Sequence, residues 1–281
     1  MQQNNSLGNS LKSWFSISAI LIALIVSILV YKFEFGAARH FEGGLNTGKA
    51  LQGDYEGIIY KGGVVVPILL TFLLIVITFS IERAFTITSA TGKGSLESFL
   101  KKIKSLLANK DLDGAIKECN RQKGSVGNVV LSGLLKYKQV ESTPGLDKDE
   151  KLAAIQKELE ESTSLELPML ERNLVIIATI ASVATLGGLF GTVIGMIKAF
   201  DALAKSGTPD ATELAAGISE ALINTALGIF TSGLAIILYN TFTSTIDKLT
   251  YKIDEASFTI AQDFAAQHAN ETKVATNGVR V

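Results

Sequence analysis

The sequence predicts an all-α integral membrane protein with four spans, whose long transmembrane helices extend into a cytoplasmic helical domain. Three observations carry this. The 281 residues are 47% hydrophobic and only 19% charged, too apolar for an ordinary soluble domain. The apolar residues gather in four runs of roughly 19 residues or more, the length a helix needs to cross a hydrocarbon layer ~30 Å thick. Between the second and third runs, residues 83–172 hold about fifteen of the 26 basic residues, mixed with acids and with apolar residues at helical spacing.

Taken in order, residues 1–12 are a short polar N-terminus and 13–31 a first span with the aliphatic core Ile17–Val30. A cleaved signal peptide is the competing reading. It is disfavoured because only Lys12 precedes the run and no small-residue cleavage pattern follows it directly. Residues 32–61 form a Gly-rich loop of mixed charge, too poor in apolar residues to be a domain. Residues 62–82 are the second span, where Pro67 is tolerable because a first helical turn has no amide partner to lose. Glu82-Arg83 is expected to close that span at an interface.

In 83–172 a helix opens at Ser95, a candidate N-cap, with Leu96, Phe99, Leu100, Ile103, Leu106 and Leu107 on one face. Two more helices are expected over Asp111–Arg121 and Val126–Val140, then a break over 141–145. Asp149–Asn173 reads as a helix with Leu152, Ile155, Leu159, Leu165 and Met169 in register, kinked at Pro168 and running on into the membrane. The third and fourth spans are 173–199 and 214–246, joined by a short polar loop, 200–213. Residues 247–281 begin as a charged helix and end in a disordered stretch after Gln267.

The basic residues of 83–172 place that domain in the cytoplasm, with both termini there and with loops 32–61 and 200–213 on the far side. Loop 32–61 disagrees locally, since Lys32, Arg39, Lys49 and Lys61 outnumber the bases of the N-terminus.

Several function classes are unsupported. A net charge of −1 and no basic stripe argue against nucleic acid. No phosphate-binding glycine loop, nucleophile elbow or paired cysteines occur, so no enzyme and no cofactor are expected. The one cysteine, Cys119, reads as a reduced, inert thiol. His40 and His268 lie far apart and outside every span, and no metal site is expected at either.

The candidate site lies in the last two spans. Gly187, Gly191 and Gly195 recur every fourth residue, and Gly188, Gly195 and Gly228 fall on small-residue faces that let helix backbones approach closely in lipid. Thr192 and Thr225 sit on such faces; a threonine in a span is ordinarily satisfied by the carbonyl four residues back. Glu220, with Asn224 one turn on, is a carboxylate in an apolar helix. It costs several kcal/mol unless it faces a partner, a cavity or water, and so marks a functional site by default. The bland alternative is that Glu220 snorkels to the headgroups or pairs with a base at the interface.

Gly188-Leu-Phe-Gly-Thr-Val-Ile-Gly-Met-Ile-Lys-Ala-Phe200, followed by Gly217-Ile-Ser-Glu-Ala-Leu-Ile-Asn-Thr-Ala-Leu-Gly228, resembles the signature of the MotA/TolQ/ExbB proton channel family, the ExbB branch first and TolQ next. The likeness extends over about 80–250. It implies a multi-pass protein of the bacterial inner membrane, with 32–61 and 200–213 periplasmic. It further implies a homopentamer around an ExbD-like dimer of single-span partners, acting with a TonB-like protein and powered by the proton motive force. Carried over by residue, Thr192, Glu220 and Thr225 would face the proton path, with Asn224 beside them. Motility-stator members generally lack the glutamate. Thr185 stands where the family commonly has a proline, and the first span is additional to the three-span members. The competing readings are a TolQ-like envelope motor, a motility stator, or a non-conducting scaffold. A permease is disfavoured, because four spans without a repeat of broken helices leave little room for a midplane site.

Overall fold

This computed structural model describes residues 4–205 and 211–268, with the side chains of 17–204 and 211–268. Among the described residues the chain is helical without a named strand; one isolated antiparallel bridge pairs Phe41 with Ala50. These residues form nine α-helices: α1 Asn4–Leu29, α2 Tyr55–Tyr60, α3 Val66–Thr91, α4 Leu96–Ala108, α5 Leu112–Gln122, α6 Gly124–Glu141, α7 Lys148–Glu171, α8 Leu174–Lys205 and α9 Ala211–Gln267. Four helical stretches are long and apolar enough to cross a membrane: Ile17–Phe35, Gly63–Ala108, Lys148–Ala204 and Ala211–Gln267. The protein is a multi-pass, all-α membrane protein. At 1.5 Å per residue the 57 residues of α9 reach about 85 Å, far beyond a bilayer core.

The chain forms two compact units, one of Met1–Glu82 with Asn173–Asn240 and one of Arg83–Arg172 with Thr241–Val281. In the first, α3 is the central element. Pro67 sits in its first turn, as expected, and Val66, Leu69, Ile75, Val76 and Phe79 are buried. α1 is held to it by a buried hydrogen bond of 2.6 Å between the Ser27 and Thr71 hydroxyls. After α1 a π-helical turn, Val30–Phe35, leads into the segment that the sequence presents as a plain loop. That segment is ordered: Tyr31 stacks on Tyr60 at 4.7 Å, Phe41 meets Tyr60 edge-on, and Asp54 caps α2 by accepting from the Glu56 and Gly57 amides.

The second unit packs α4–α7 with the end of α9. Ile246, Leu249, Ile253, Ala256, Ile260 and Phe264 recur at steps of three and four and are all buried. They close on Phe99, Ile103 and Leu107 of α4, and on an α6 core in which Tyr137 meets Phe264 edge-on at 4.9 Å. Cys119 is buried here, and burial pushes its thiol up to about 12, so it stays protonated and inert at neutral pH.

Several element boundaries differ from expectation for local reasons. As a helix, α3 runs on past Glu82-Arg83 to Thr91. Buried Arg83 instead donates at 3.2 Å to the Met169 and Leu170 carbonyls, which the end of α7 leaves without helical partners. α7 continues through Pro168, and the chain breaks at Arg172-Asn173, where Asn173 adopts φ 63°. The helix expected to run unbroken into the third span is therefore two helices. Leu165 and Met169 are exposed, because the buried face of α7 follows Ile155, Leu159 and Leu170; Leu165 and Met169 fall about 100° from it. Ser95 has extended N-cap dihedrals but makes no side-chain cap bond, whereas Asp111 caps α5. α1 begins at Asn4 inside the expected polar terminus, and α8 and α9 together narrow the expected 200–213 loop to 206–210, which lies outside the described residues. The tail after 268 also lies outside them.

Candidate functional site

α8 and α9 meet where both carry small residues. A methyl added at Gly188 would lie 2.9 Å from the Asn224 carbonyl oxygen and 3.1 Å from Gly228 Cα. At Gly195 it would lie 2.7 Å from the Ala221 amide nitrogen, and at Gly228 2.7 Å from the Ala184 oxygen. Side chains there would force the backbones apart, so these glycines set the approach of the two helices. Gly191 gives its space to the Asn224 side chain. Gly187 differs: its open side faces Leu69 and Phe72 of α3. The four-residue glycine row thus serves two neighbours, because a 3.6-residue helix rotates such a row slowly around its axis.

The four polar candidates fall into two pairs. The Thr192 and Thr225 hydroxyls hydrogen-bond across the α8–α9 contact. Thr192 Oγ1 also lies 3.2 Å from the Gly188 carbonyl and Thr225 Oγ1 3.3 Å from the Ala221 carbonyl; with one proton on each hydroxyl, one threonine back-bonds to the fourth residue while the other donates across the contact. Thr192 further approaches the Ala221 carbonyl at 3.4 Å, joining this pair to the residue after Glu220.

Glu220 and Asn224 face the turn that opens α3. Asn224 is fully buried and donates from Nδ2 to the Gly62 carbonyl at 2.8 Å, while its Oδ1 has no hydrogen-bond partner among the described residues. Gly63, at φ 74°, lies against the Glu220 carboxylate so closely that a Cβ would strike Oε1. Glu220 is buried and accepts from Lys198 Nζ at 2.6 Å, with the lysine side chain half exposed. Pairing with a base, the bland alternative for this carboxylate, is therefore realised. The same carboxylate lines a cavity of about 780 Å³ bordered by Lys49, Lys61, Lys198 and Glu213. Burial holds the Lys61 ammonium below its usual range.

The sequence alone does not single out Lys198, Gly62 and Gly63 as site residues. The signal for Lys198 is its place in the motif, 22 residues before Glu220 in the chain but one ion pair away in space. A Gly-Gly pair before an apolar run looks like ordinary turn chemistry, and only the fold brings it onto Glu220 and Asn224.

Chemically, the arrangement is a buried carboxylate with one base, a neighbouring amide with an unused acceptor, a hydroxyl pair and a cavity. It can hold a charge, exchange a proton and accept a hydrogen bond, and it offers no activated nucleophile. Fold and site define a multi-pass membrane protein whose closely packed helix hairpin carries a buried, accessible carboxylate.

Residues 123–255 match the model of the MotA/TolQ/ExbB proton channel family, and the chain carries that family's domain. It is similar to the Tol-Pal system protein TolQ of Pseudomonas aeruginosa, 32% identical over 153 residues, covering 52% of this chain and 64% of that protein. It is similar also to the biopolymer transport protein ExbB of Pseudomonas putida, 40% identical over 82 residues, covering 29% of this chain and 25% of that one. With TolQ of Haemophilus influenzae it shares 48% identity over 77 residues, 27% of this chain and 33% of the relative. The matched stretches span less than two thirds of these relatives' own lengths, and the relatives carry both names.

Proposed function

We propose that this chain is a non-enzymatic, ExbB-like subunit of a bacterial inner-membrane proton-channel motor that uses the proton motive force to energise TonB-dependent outer-membrane transport. The observation that carries the reading is Glu220, a buried carboxylate that lines a cavity, with Asn224 one turn on, whose Oδ1 has no hydrogen-bond partner among the described residues. A carboxylate with both oxygens paired to bases and no cavity would be structural. This one has, among the described residues, a single lysine partner and open volume beside it.

In this reading the proton arrives through the cavity. Lys198 pairs with Glu220 between transfers and swings towards solvent when the proton arrives. Asn224 Oδ1 accepts from water or from the partner, and Thr192 and Thr225 exchange their mutual hydrogen bond for one to the partner's span. The exposed row Leu186, Phe190, Val193, Ile197 and Phe200 on α8 suits lipid and neighbouring subunits. In this reading neighbouring copies form a homopentamer surrounding an ExbD-like dimer that acts on a TonB-like protein. Residues 32–61 then face the periplasm and 83–172 the cytoplasm.

A TolQ-like role in envelope integrity is the second reading, favoured by the TolQ match over 153 residues. A scaffold is the third, favoured by the Lys198–Glu220 ion pair. Cells carrying Glu220→Gln separate all three when growth on chelated iron or a cobalamin, detergent sensitivity and assembly on native gels are scored together. Lost uptake with an intact complex and a sound envelope supports the ExbB-like reading. Normal uptake with leaky, chaining cells supports the TolQ-like one. Lost assembly, or no phenotype with the complex whole, makes Glu220 structural and overturns the proton path.

A further inference from the structure

In the sequence His40 is an isolated histidine, yet folding surrounds it with three carboxylates. Its side chain is 8% exposed. Nδ1 lies 2.7 Å from Asp54 Oδ2, and Asp54 is itself fixed as the cap of α2. As the acceptor for Nδ1, Asp54 places the ring proton on that nitrogen. The Nε2 lone pair then points away from Asp54, and Arg39 Nε donates to it at 3.1 Å. Glu56 Oε2 lies 3.0 Å from the same Nε2; this oxygen is buried without a hydrogen-bond partner among the described residues, although the Glu56 side chain as a whole is 44% exposed. Either a second ring proton or a metal ion has to sit between the two lone pairs at that distance. Glu34, which accepts from the Arg39 guanidinium, completes a group of three whose ligand atoms lie within 4.8 Å of one another.

We propose that Glu34, His40 and Glu56 form a divalent metal site of the zinc class, with Asp54 orienting the imidazole and Arg39 standing in for the cation in the metal-free protein. The donor set suits this ion. One imidazole nitrogen and two carboxylate oxygens fit Zn²⁺, with water in the fourth position, whereas Mg²⁺ and Ca²⁺ favour oxygen alone. The spacing suits it too. Tetrahedral ligands about 2.1 Å from zinc are about 3.4 Å apart, and the observed 3.0 Å needs only a small opening. An aspartate on the far ring nitrogen is the arrangement that fixes the tautomer of metal-bound histidines and raises their basicity. The Arg39 side chain is 62% exposed and can swing into water as the metal enters. The inference stands apart from the proton path, which uses none of these residues.

The test is equilibrium competition for Zn²⁺ against a fluorescent chelator, on full-length protein purified without a histidine tag and reconstituted in nanodiscs. The site predicts saturable binding of about one Zn²⁺ per chain that millimolar Mg²⁺ does not displace. Glu56→Gln, which keeps shape and removes charge, weakens binding at least tenfold, and Asp54→Asn weakens it ten- to a hundredfold. Arg39→Ala tightens binding, because the competing cation is gone. A site that only staples the loop predicts the opposite sign for Arg39→Ala, or no change. Absence of saturable zinc binding to the wild-type chain, or binding indifferent to Glu56→Gln with an unchanged melting profile, overturns the proposal.

Discussion

Two buried glutamates, one in each compact unit, are partnered differently, and the difference lies in what each has left to bind. Glu118 on α5 is 7% exposed and accepts from two bases, Lys102 at 2.8 Å and Arg121 on its own helix. Burial alone would raise its carboxyl, but those two bonds outweigh it and hold the group below the usual carboxylate range. Glu220 on α9 is as deeply buried, at 9%, but has one lysine among the described residues, a cavity, and beside it an amide oxygen with no partner there. Glu118 is saturated and has nothing left to bind. Glu220 is left with capacity.

The surroundings differ in the same way. The second unit is filled by large side chains, Tyr137, Ile253, Ile260 and Phe264 among them, at full burial. The α8–α9 contact is made by glycine backbones with polar groups threaded between. A bundle core tolerates loss of volume gradually, whereas glycine contacts in lipid fail when volume is added. The largest expected effect is therefore Gly188→Leu. Its Cβ alone meets the Asn224 carbonyl at 2.9 Å, an atom that cannot rotate away. The two helices cannot close over the new side chain, and the variant is expected to lose the assembled complex on native gels altogether. Wild-type assembly in that variant would break the comparison.

Next comes Phe264→Ala, which empties a site shared with Tyr137 and should lower stability by roughly 3–5 kcal/mol, measured as a lowered melting temperature of the full chain. The complex should persist, weakened. Smallest is Glu118→Gln, at about 1 kcal/mol or less, because Lys102 is half exposed and Arg121 largely exposed. Its sign with pH is fixed. A carboxylate depressed by folding contributes stability above its unfolded pKa, and that contribution fades as pH falls through the folded one. Wild type and Glu118→Gln should differ at neutral pH and converge in acid below the carboxylate range. A gap that widened on acidification would contradict the pairing.

Much of this is legible in the amino-acid sequence. Uncharged runs long enough to span, the three-and-four spacing from Phe99 to Leu107, and a lone glutamate in an apolar helix each follow from period or cost, which are properties of the chain itself. What is not legible depends on distant residues meeting. Arg83 has the look of a boundary charge, yet it caps a helix end 86 residues later in the chain. The unused oxygen of Asn224 follows from its other bond, to Gly62, 162 residues away. Gly187 parts company from Gly191 because which neighbour a small face meets is a tertiary fact.

The most direct test of Glu220 as a group that takes up a proton is chemical labelling. Dicyclohexylcarbodiimide, an apolar reagent, attacks carboxyl groups that become protonated in apolar surroundings. Membranes containing the assembled protein would be treated near neutral pH and the modified peptides mapped by mass spectrometry. The account predicts modification at Glu220, stronger in Lys198→Met, where the competing ammonium is gone, and none at Glu118. An unmodified Glu220 in both the wild type and Lys198→Met would contradict it, leaving this carboxylate as structural as Glu118.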